Sequence, residues 1–194
     1  TTPYTTNKEG KGPAWANSLF EDNAEFGFGM LTTVEHKTKA AFSLLNEMTN
    51  IPADLKAAII NNKQENNKAI DEQRQNVEVL KALLPKTSEL MLLADYLVHK
   101  DLWMLGGDGW AYDIGFSGID HVLASGKRAK ILVMDTESYS NTGGQQSKAT
   151  PLGASAKFAL AGRNIHKKDL GMEMMTFRHV YVAQIAFGAN PAQA

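Results

Sequence analysis

Residues 102–110, which read LWMLGGDGW, give the clearest indication of the fold. The apolar run that opens this stretch predicts a short strand, and the glycines on both sides of Asp108 predict a tight turn directly after it. A helical pattern then extends over residues 114–125 and stops at Gly126. The stretch is therefore typical of the strand–turn–helix unit of an α/β protein.

Two later apolar runs predict further strands of the same sheet. Residues 131–134 predict the next buried strand, and residues 180–185 predict a third. Between them, residues 154–161 and 169–177 are expected to be helical. Strands that alternate with helices favour a mainly parallel sheet flanked by helices, and such sheets bind ligands at the carboxyl ends of their strands.

The first half of the chain is mostly helical by pattern. Residues 1–22 predict a loop with Tyr4, Trp15 and Phe20 as aromatic anchors. Apolar spacing predicts helices over residues 23–48 and 90–99, and Pro52 ends the first of them. Residues 53–84 form an amide-rich helical stretch. Its middle, residues 61–76, has little apolar content and is interpreted as a solvated helical excursion, with a disordered loop as the alternative.

Composition excludes several classes of protein. The chain has 194 residues, 43% of them hydrophobic and 21% charged, which is typical of a globular domain. The 20 basic and 21 acidic residues nearly balance, which argues against nucleic acid as a partner. With 0 cysteines, no disulfide or iron–sulfur cluster can be held by this chain. No apolar run approaches the ~18 residues of a membrane helix, so no membrane partner is expected.

Both ends of the sequence look internal. The chain begins with a polar stretch at Thr1, and Asn190 followed by Pro191 is a helix-start signal close to its end. We therefore expect a segment of a longer protein, with a frayed terminus as the alternative.

Two polar loops follow the first two predicted strands. Residues 106–115 surround Asp108 with glycines, and residues 135–144 offer hydroxyl, amide and carbonyl oxygens. Mg²⁺ prefers a few protein oxygens together with phosphate oxygens. Asp108, Thr136 and a backbone carbonyl of the second loop would meet that demand. The sequence contains neither GxGxxG nor GxxxxGK[ST], which disfavours a dinucleotide fold and a P-loop.

The spacing of these loops matches a known cofactor motif. Asn141 follows Asp108 by about one helix and one strand, and Gly-Asp-Gly followed at this distance by Asn is the motif for thiamine diphosphate. Beyond the motif, the chain resembles the C-terminal thiamine-binding domain of the pyruvate:ferredoxin (flavodoxin) oxidoreductase family. The stretches that carry the resemblance are TTPYTTNKEGKGPAWANSLFEDNAEFGFGM, GGDGWAYDIGFSGIDHVLASG, DTESYSNTGGQQSKATPLGASAKFALAG, KKDLGMEMM and VYVAQIAFGANPAQA.

The resemblance implies a fold, a reaction and a set of partners. Residues 1–194 would form one thiamine diphosphate-binding domain, with a helical excursion over residues 50–90. The family converts pyruvate and coenzyme A into acetyl-CoA and CO₂ and passes electrons to ferredoxin or flavodoxin. The iron–sulfur clusters and the glutamate that activates the cofactor would lie in other domains, so the fragment alone is expected to be inactive. A homodimer and a cytoplasmic or hydrogenosomal location are expected.

The resemblance also assigns roles to residues of the two loops. Asp108, Thr136 and Ser138 would bind Mg²⁺, the last through its carbonyl. Asn141 would reach the reacting atoms as the catalytic residue. The cofactor-binding residues would be Gly107, Asp108, Gly109, Trp110, Thr136, Glu137, Ser138, Tyr139, Ser140 and Asn141.

Two other functions remain open at this point. One is a thiamine-dependent decarboxylase that acts on 2-oxoacids without oxidation. The other is an assembly fragment that binds no cofactor. A basic patch at Arg163, His166, Lys167 and Lys168 suggests a contact to the phosphates of coenzyme A or to a missing domain, with a solvated loop as the alternative.

Overall fold

The structure, a computed structural model, describes residues 6, 8, 10, 12–18, 21–186 and 188–192. Contacts divide the chain into two compact units, one formed by Thr1–Gly27 and Trp103–Ala194 and the other by Phe28–Leu102. Of the expected aromatic anchors, Trp15 is 39% exposed. Tyr4 and Phe20 lie outside the described residues.

The first unit is built around a pair of parallel strands. Strand β1 (Trp103–Gly107) pairs with β2 (Lys130–Met134) from Trp103 opposite Lys130 to Gly107 opposite Met134. A helix joins the two strands, as a parallel connection requires. The α/β class with a parallel sheet flanked by helices is therefore confirmed.

The connection between the strands begins with an unusual turn. Residues Gly109–Asp113 form a π-helical turn, in which the amide of Ile114 donates to the carbonyl of Gly109 at 3.2 Å. The α-helix that follows covers Phe116–Ala124 and ends where the sequence predicts, because Gly126 adopts a φ of +65° that glycine tolerates. π-helical turns of this kind occur frequently at functional sites.

Two details of the first unit differ from the sequence-based expectation. Strand β2 is only half-buried, since Leu132 and Met134 are 43% and 52% exposed. The predicted helix at residues 154–161 is wrong. There the chain folds back on itself, and the amide of Gly153 donates to Arg163 while the amide of Arg163 donates to Ala154. Pairing across the loop replaces the bonds along the chain that a helix needs.

The predicted strand at residues 180–185 is also wrong. This segment is irregular, and Tyr181 is 91% exposed. Its β-branched residues favour extended backbone, but a strand also needs a neighbour, and no described segment pairs with it. The helix expected just before it is confirmed in shorter form as Leu170–Met175, with the Asp169 side chain accepting from the amide of Met172 at 2.9 Å.

The second unit is helical. In chain order the α-helices of the described residues, from both units, are α1 (Asn23–Glu47), α2 (Ala53–Asn61), α3 (Asn67–Leu83), α4 (Glu89–Leu93), α5 (Phe116–Ala124) and α6 (Leu170–Met175). A 3₁₀ turn, Ala94–Leu97, continues α4 and shortens the helix predicted at residues 90–99. The amide-rich stretch is thus two helices, and Asn66 caps α3 by accepting from the amide of Ala69 at 3.0 Å. None of the described helices is long and apolar enough to cross a membrane.

The core of this unit contains a buried amide. Its apolar members are Ala41, Leu45, Ile51, Ile59, Val77, Leu80, Leu84, Leu90, Ala94, Leu97 and Val98. Among them Gln73 is fully buried, and its Nε2 donates to the carbonyls of Ile59 and Leu97 at 3.2 and 3.0 Å. One side chain therefore satisfies two backbone acceptors that lie beyond the reach of helix hydrogen bonds.

We expect Gln73→Leu to lower the free energy of unfolding of this unit by about 1–3 kcal/mol, because buried acceptors lose their donor. Urea denaturation followed by circular dichroism measures the loss. Gln75→Leu is the matched control, since Gln75 is exposed on the same helix. Equal stability of the two variants would contradict the role given to Gln73.

Candidate functional site

Asp108 lies at the end of β1 and is almost completely buried. Only 2% of the residue is exposed, yet its carboxylate meets two hydroxyl groups from the loop after β2. Thr136 Oγ1 donates to Oδ1 at 2.9 Å, and Ser147 Oγ donates to Oδ2 at 2.6 Å. The two loops that the sequence singles out therefore meet at this carboxylate, as the parallel pairing of their strands requires.

Thr136 brings the expected metal ligands together. Its Oγ1 lies 2.9 Å from Asp108 Oδ1 and 3.1 Å from the carbonyl oxygen of Ser138. The Ser140 hydroxyl is a further 2.9 Å neighbour of the same atom. A hydroxyl has a single proton to donate, so Thr136 can satisfy only one of the two acceptors, Asp108 or Ser138, at a time. The cluster thus has more oxygen lone pairs than protons.

The backbone of this loop makes the convergence possible. The amide of Glu137 donates to Asp135 Oδ1 at 3.1 Å, and Glu137 adopts a φ of +63° that reverses the chain. The buried Thr150 hydroxyl fixes the reversal by donating to the carbonyl of Glu137 at 2.6 Å. This turn directs the carbonyl of Ser138 back towards Thr136.

The donor set suits a small, hard cation. No group of three or more His, Cys, Asp or Glu side chains that could hold a metal occurs among the described residues. One carboxylate, one hydroxyl and one carbonyl are instead the oxygen ligands that Mg²⁺ accepts when phosphates and water complete its octahedron. Asp108, Thr136 and Ser138 therefore fit the ion that the sequence predicts.

Trp110 forms the wall of the turn after β1. Its side chain is 2% exposed, and its Nε1 is buried without a hydrogen-bond partner in the described part of the chain. A Cβ atom added to Gly106 or Gly115 would lie 2.3 or 2.4 Å from the indole ring, so only glycine leaves room for it. Gly107 is exposed, with open space at its Cα. Because the indole N–H is itself buried, the exposed backbone at Gly107 is the part of this turn that an anionic ligand such as a phosphate can approach.

Tyr139 lies against the same turn. A Cβ atom on Gly109 would come within 2.2 Å of its ring, so Gly109 is the residue that allows this contact. Burial, followed by the negative charge of Asp113, raises the pKa of Tyr139 to about 12. The phenol therefore stays neutral at physiological pH.

Asn141 stands apart from the carboxylate cluster. The backbones of Tyr139 and Gln145 pair, with the amide of Tyr139 donating to Gln145 at 2.8 Å, and this pairing closes a short loop that holds Asn141 exposed. The hydrogen bonds that join Asp108, Thr136, Ser138 and Ser140 do not include Asn141. Its side chain is therefore accessible from solvent.

A second polar cluster supports the loop from the other side. Asp135 Oδ2 accepts from the hydroxyl of Tyr112 at 2.7 Å and from Lys167 Nζ at 2.5 Å. Lys167 Nζ also lies 3.6 Å from Glu137 Oε1, so this carboxylate faces a lysine rather than Thr136. Burial and the hydrogen bond to Asp135 raise the pKa of Tyr112, which keeps the phenol protonated as the donor.

The basic patch of the sequence is largely engaged within the chain. Arg163 donates to the carbonyls of Ser147 and Ile165. Lys168 Nζ lies 3.2 Å from Glu173 and 3.2 Å from the centre of the Phe116 ring. With Lys167 paired to Asp135, these three cations have partners within the chain, so neither a coenzyme A contact nor a solvated loop describes them.

Sequence reasoning missed the buried hydroxyl residues Ser147 and Thr150, which are 3% and 2% exposed. They stabilise each other's turn, since the amide of Ser147 donates to Thr150 Oγ1 at 2.9 Å. Ser and Thr are common in solvated loops, so their type gave no signal. Ser147 and Thr150 stand out only in the folded chain, where they contact Asp108 and Glu137, which are distant in sequence.

Fold and site together define an α/β protein in which oxygen atoms of Asp108, Thr136, Ser138 and Ser140 cluster at the carboxyl ends of two parallel strands. No family model matches the chain. The chain is 54% identical over 200 residues to a pyruvate-flavodoxin oxidoreductase of Trichormus variabilis, covering 98% of this chain and 17% of the relative. It is 52% identical to the pyruvate-flavodoxin oxidoreductase of Rhodospirillum rubrum, covering 100% and 17%. With the pyruvate:ferredoxin oxidoreductase of Moorella thermoacetica it shares 47%, covering 98% and 17%.

These similarities confirm the resemblance seen in the sequence. The chain is homologous, over nearly all of its length, to one segment of pyruvate-flavodoxin and pyruvate:ferredoxin oxidoreductases. It spans about a sixth of the length of these relatives, 17% in each case.

Proposed function

We propose that this chain supplies the thiamine diphosphate–Mg²⁺ half of the active site of a pyruvate:flavodoxin or pyruvate:ferredoxin oxidoreductase. The observation that carries the proposal is the single Thr136 hydroxyl between two acceptors, Asp108 Oδ1 at 2.9 Å and the Ser138 carbonyl at 3.1 Å. The single hydroxyl proton can satisfy only one of these acceptors, and a bound cation would satisfy the oxygen lone pairs that remain unpaired. The names of the relatives support the reaction.

Each residue of the two loops has a proposed task. Asp108, Thr136 and Ser138 hold Mg²⁺ through carboxylate, hydroxyl and carbonyl oxygens. Gly107, Gly109 and Trp110 form the turn that we propose to lie along the diphosphate, and of these three residues only Gly107 is exposed. The remaining cofactor-binding residues are Glu137, Tyr139 and Ser140, and the accessible Asn141 is the residue proposed to contact the substrate.

The reaction of the whole protein is part of the same proposal. Pyruvate and coenzyme A give acetyl-CoA and CO₂ with release of two electrons, and ferredoxin or flavodoxin accepts the electrons. Thiamine diphosphate supplies an electron sink for the loss of CO₂ when it is bound. Iron–sulfur clusters need ligands outside these 194 residues, because the chain has 0 cysteines. The other domains and a second subunit are the expected partners.

Calorimetric titration of thiamine diphosphate into the intact protein that contains these residues tests the proposal. We expect binding with Mg²⁺ and none with EDTA. Thr136→Val should weaken binding by at least about tenfold, because it removes one metal ligand but keeps the side-chain shape. Thr136→Ser is the matched control that keeps the hydroxyl.

Other outcomes would favour the alternative functions. Acetaldehyde formation from pyruvate without coenzyme A would indicate a non-oxidative decarboxylase. An affinity for thiamine diphosphate that changes neither with EDTA nor with Thr136→Val would contradict the metal half-site. Complete absence of cofactor binding by the intact protein would leave an assembly role.

A further inference from the structure

Ser147 makes an unusually well-defined contact with the candidate metal ligand. Its hydroxyl donates to Asp108 Oδ2 at 2.6 Å, and both residues are at least nine-tenths buried, with 3% and 2% exposed. The same hydroxyl oxygen accepts from the amide of Ala149 at 3.0 Å. Because the amide takes up a lone pair, the proton of the hydroxyl is directed to Asp108.

The rest of Ser147 is fixed as well. Its amide donates to Thr150 Oγ1 at 2.9 Å, and its carbonyl accepts from the guanidinium of Arg163. Every polar group of the residue is thus engaged, and among the described residues the hydroxyl donates to Asp108. The carboxylate of Asp108 meets a donor that is already in position.

We infer that Ser147 is a positioning residue that restricts Asp108 to a single metal-binding oxygen, Oδ1, and thereby makes the site prefer Mg²⁺ over Ca²⁺. The inference rests on the proposed function. The two carboxylate oxygens have separate partners, Thr136 at Oδ1 and Ser147 at Oδ2. A cation on the Thr136 side therefore finds Oδ1 next to the other ligands, while Oδ2 is occupied.

The distinction matters because the two cations use carboxylates differently. Ca²⁺ takes 6–8 oxygens at roughly 2.3–2.6 Å and readily accepts both oxygens of one carboxylate. Mg²⁺ needs a near-ideal octahedron at about 2.0–2.1 Å, which a single carboxylate oxygen suits. A donor that holds Oδ2 keeps the carboxylate from turning to offer both oxygens.

Separate titrations of MgCl₂ and CaCl₂ into the intact protein with thiamine diphosphate present test this role. Ser147→Ala should shift the ratio of the two dissociation constants towards Ca²⁺ by about tenfold, a size typical of residues that orient metal ligands. Ser147→Thr keeps the hydroxyl and should restore the ratio. Ser155→Ala is the matched control, because its hydroxyl donates to the carbonyl of Leu160 at 3.3 Å and not to any of the proposed metal ligands.

An unchanged ratio in Ser147→Ala, or an equal shift in Ser155→Ala, would overturn the inference while leaving the proposed function intact. Failure of the unsubstituted protein to bind either cation with the cofactor would instead contradict the proposed function, and the inference with it. If Ser147→Ala does not fold, Ser147→Cys carries the same test, since its S–H is only a weak donor.

Discussion

Replacing Asp108 by asparagine is expected to weaken the Mg²⁺-dependent binding of thiamine diphosphate by at least about a hundredfold, or roughly 2.7 kcal/mol. Among the predicted metal ligands, Asp108 is the only carboxylate, so its charge is the main protein attraction for the cation. The amide keeps the shape and one acceptor oxygen, which limits damage to the hydrogen bonds from Thr136 and Ser147. Calorimetry with and without Mg²⁺ measures the loss.

Asp120→Asn provides the comparison for this substitution. Asp120 is exposed on α5, so its replacement changes the net charge equally without touching the site. Cofactor affinity should stay within about twofold, as expected for a surface charge. The metal site would be refuted by a folded Asp108→Asn protein that keeps the affinity of the Asp120→Asn control.

Gly115→Ala is expected to have the largest effect on the stability of the α/β unit. A Cβ atom there would lie 2.6 Å from the carbonyl oxygen of Trp110 and 2.7 Å from that of Glu21. Backbone oxygens cannot rotate aside, so the turn between β1 and α5 must shift. We expect a loss of about 1–3 kcal/mol or more in the free energy of unfolding. Cofactor binding should fall as well, because the same turn holds Asp108.

Tryptophan fluorescence during urea denaturation follows this change. Trp110 is 2% exposed, whereas Trp15 and Trp103 are 39% and 55% exposed, so a red shift of the folded protein's emission reports movement of Trp110. Gly29→Ala is the control, because it is expected to raise the free energy of unfolding where Gly115→Ala lowers it. Gly29 lies on the exposed side of α1 with open space at its Cα, and alanine there should stabilise the helix by about 0.5–1 kcal/mol. Equal losses in the two variants would contradict the steric explanation.

Local patterns were sufficient for many parts of this molecule. Apolar spacing predicted α1, glycine and proline marked the ends of several helices, and the strands on both sides of α5 were visible as short apolar runs. The same patterns failed at residues 154–161 and 180–185. At residues 154–161, backbone pairing across a loop replaced the predicted helix. At residues 180–185, the β-favouring residues have no neighbouring strand among the described residues to pair with.

The predicted site shows the same division. Gly-Asp-Gly after one strand and a hydroxyl-rich loop after the next were enough to select Asp108, Thr136 and an unspecified backbone carbonyl, because parallel strands end at a common edge. The family resemblance identified that carbonyl as the one of Ser138. Whether these residues bind Mg²⁺ stays a prediction. Ser147, which contacts Asp108, could not be selected, since nothing local distinguishes it from other loop residues. Lys167 stood out as part of the basic patch, but its pairing with Asp135 could not be predicted.

The sequence by itself determined the α/β class, the chemistry of the two loops and the resemblance that the relatives confirm. These properties depend on residue type and on short spacings, which are local features of the sequence. Only the tertiary structure decided that one threonine proton lies between two acceptors, that a buried serine holds the far oxygen of Asp108, and that the basic patch is used internally. Such contacts join residues far apart in sequence, so their geometry exists only once the chain has folded.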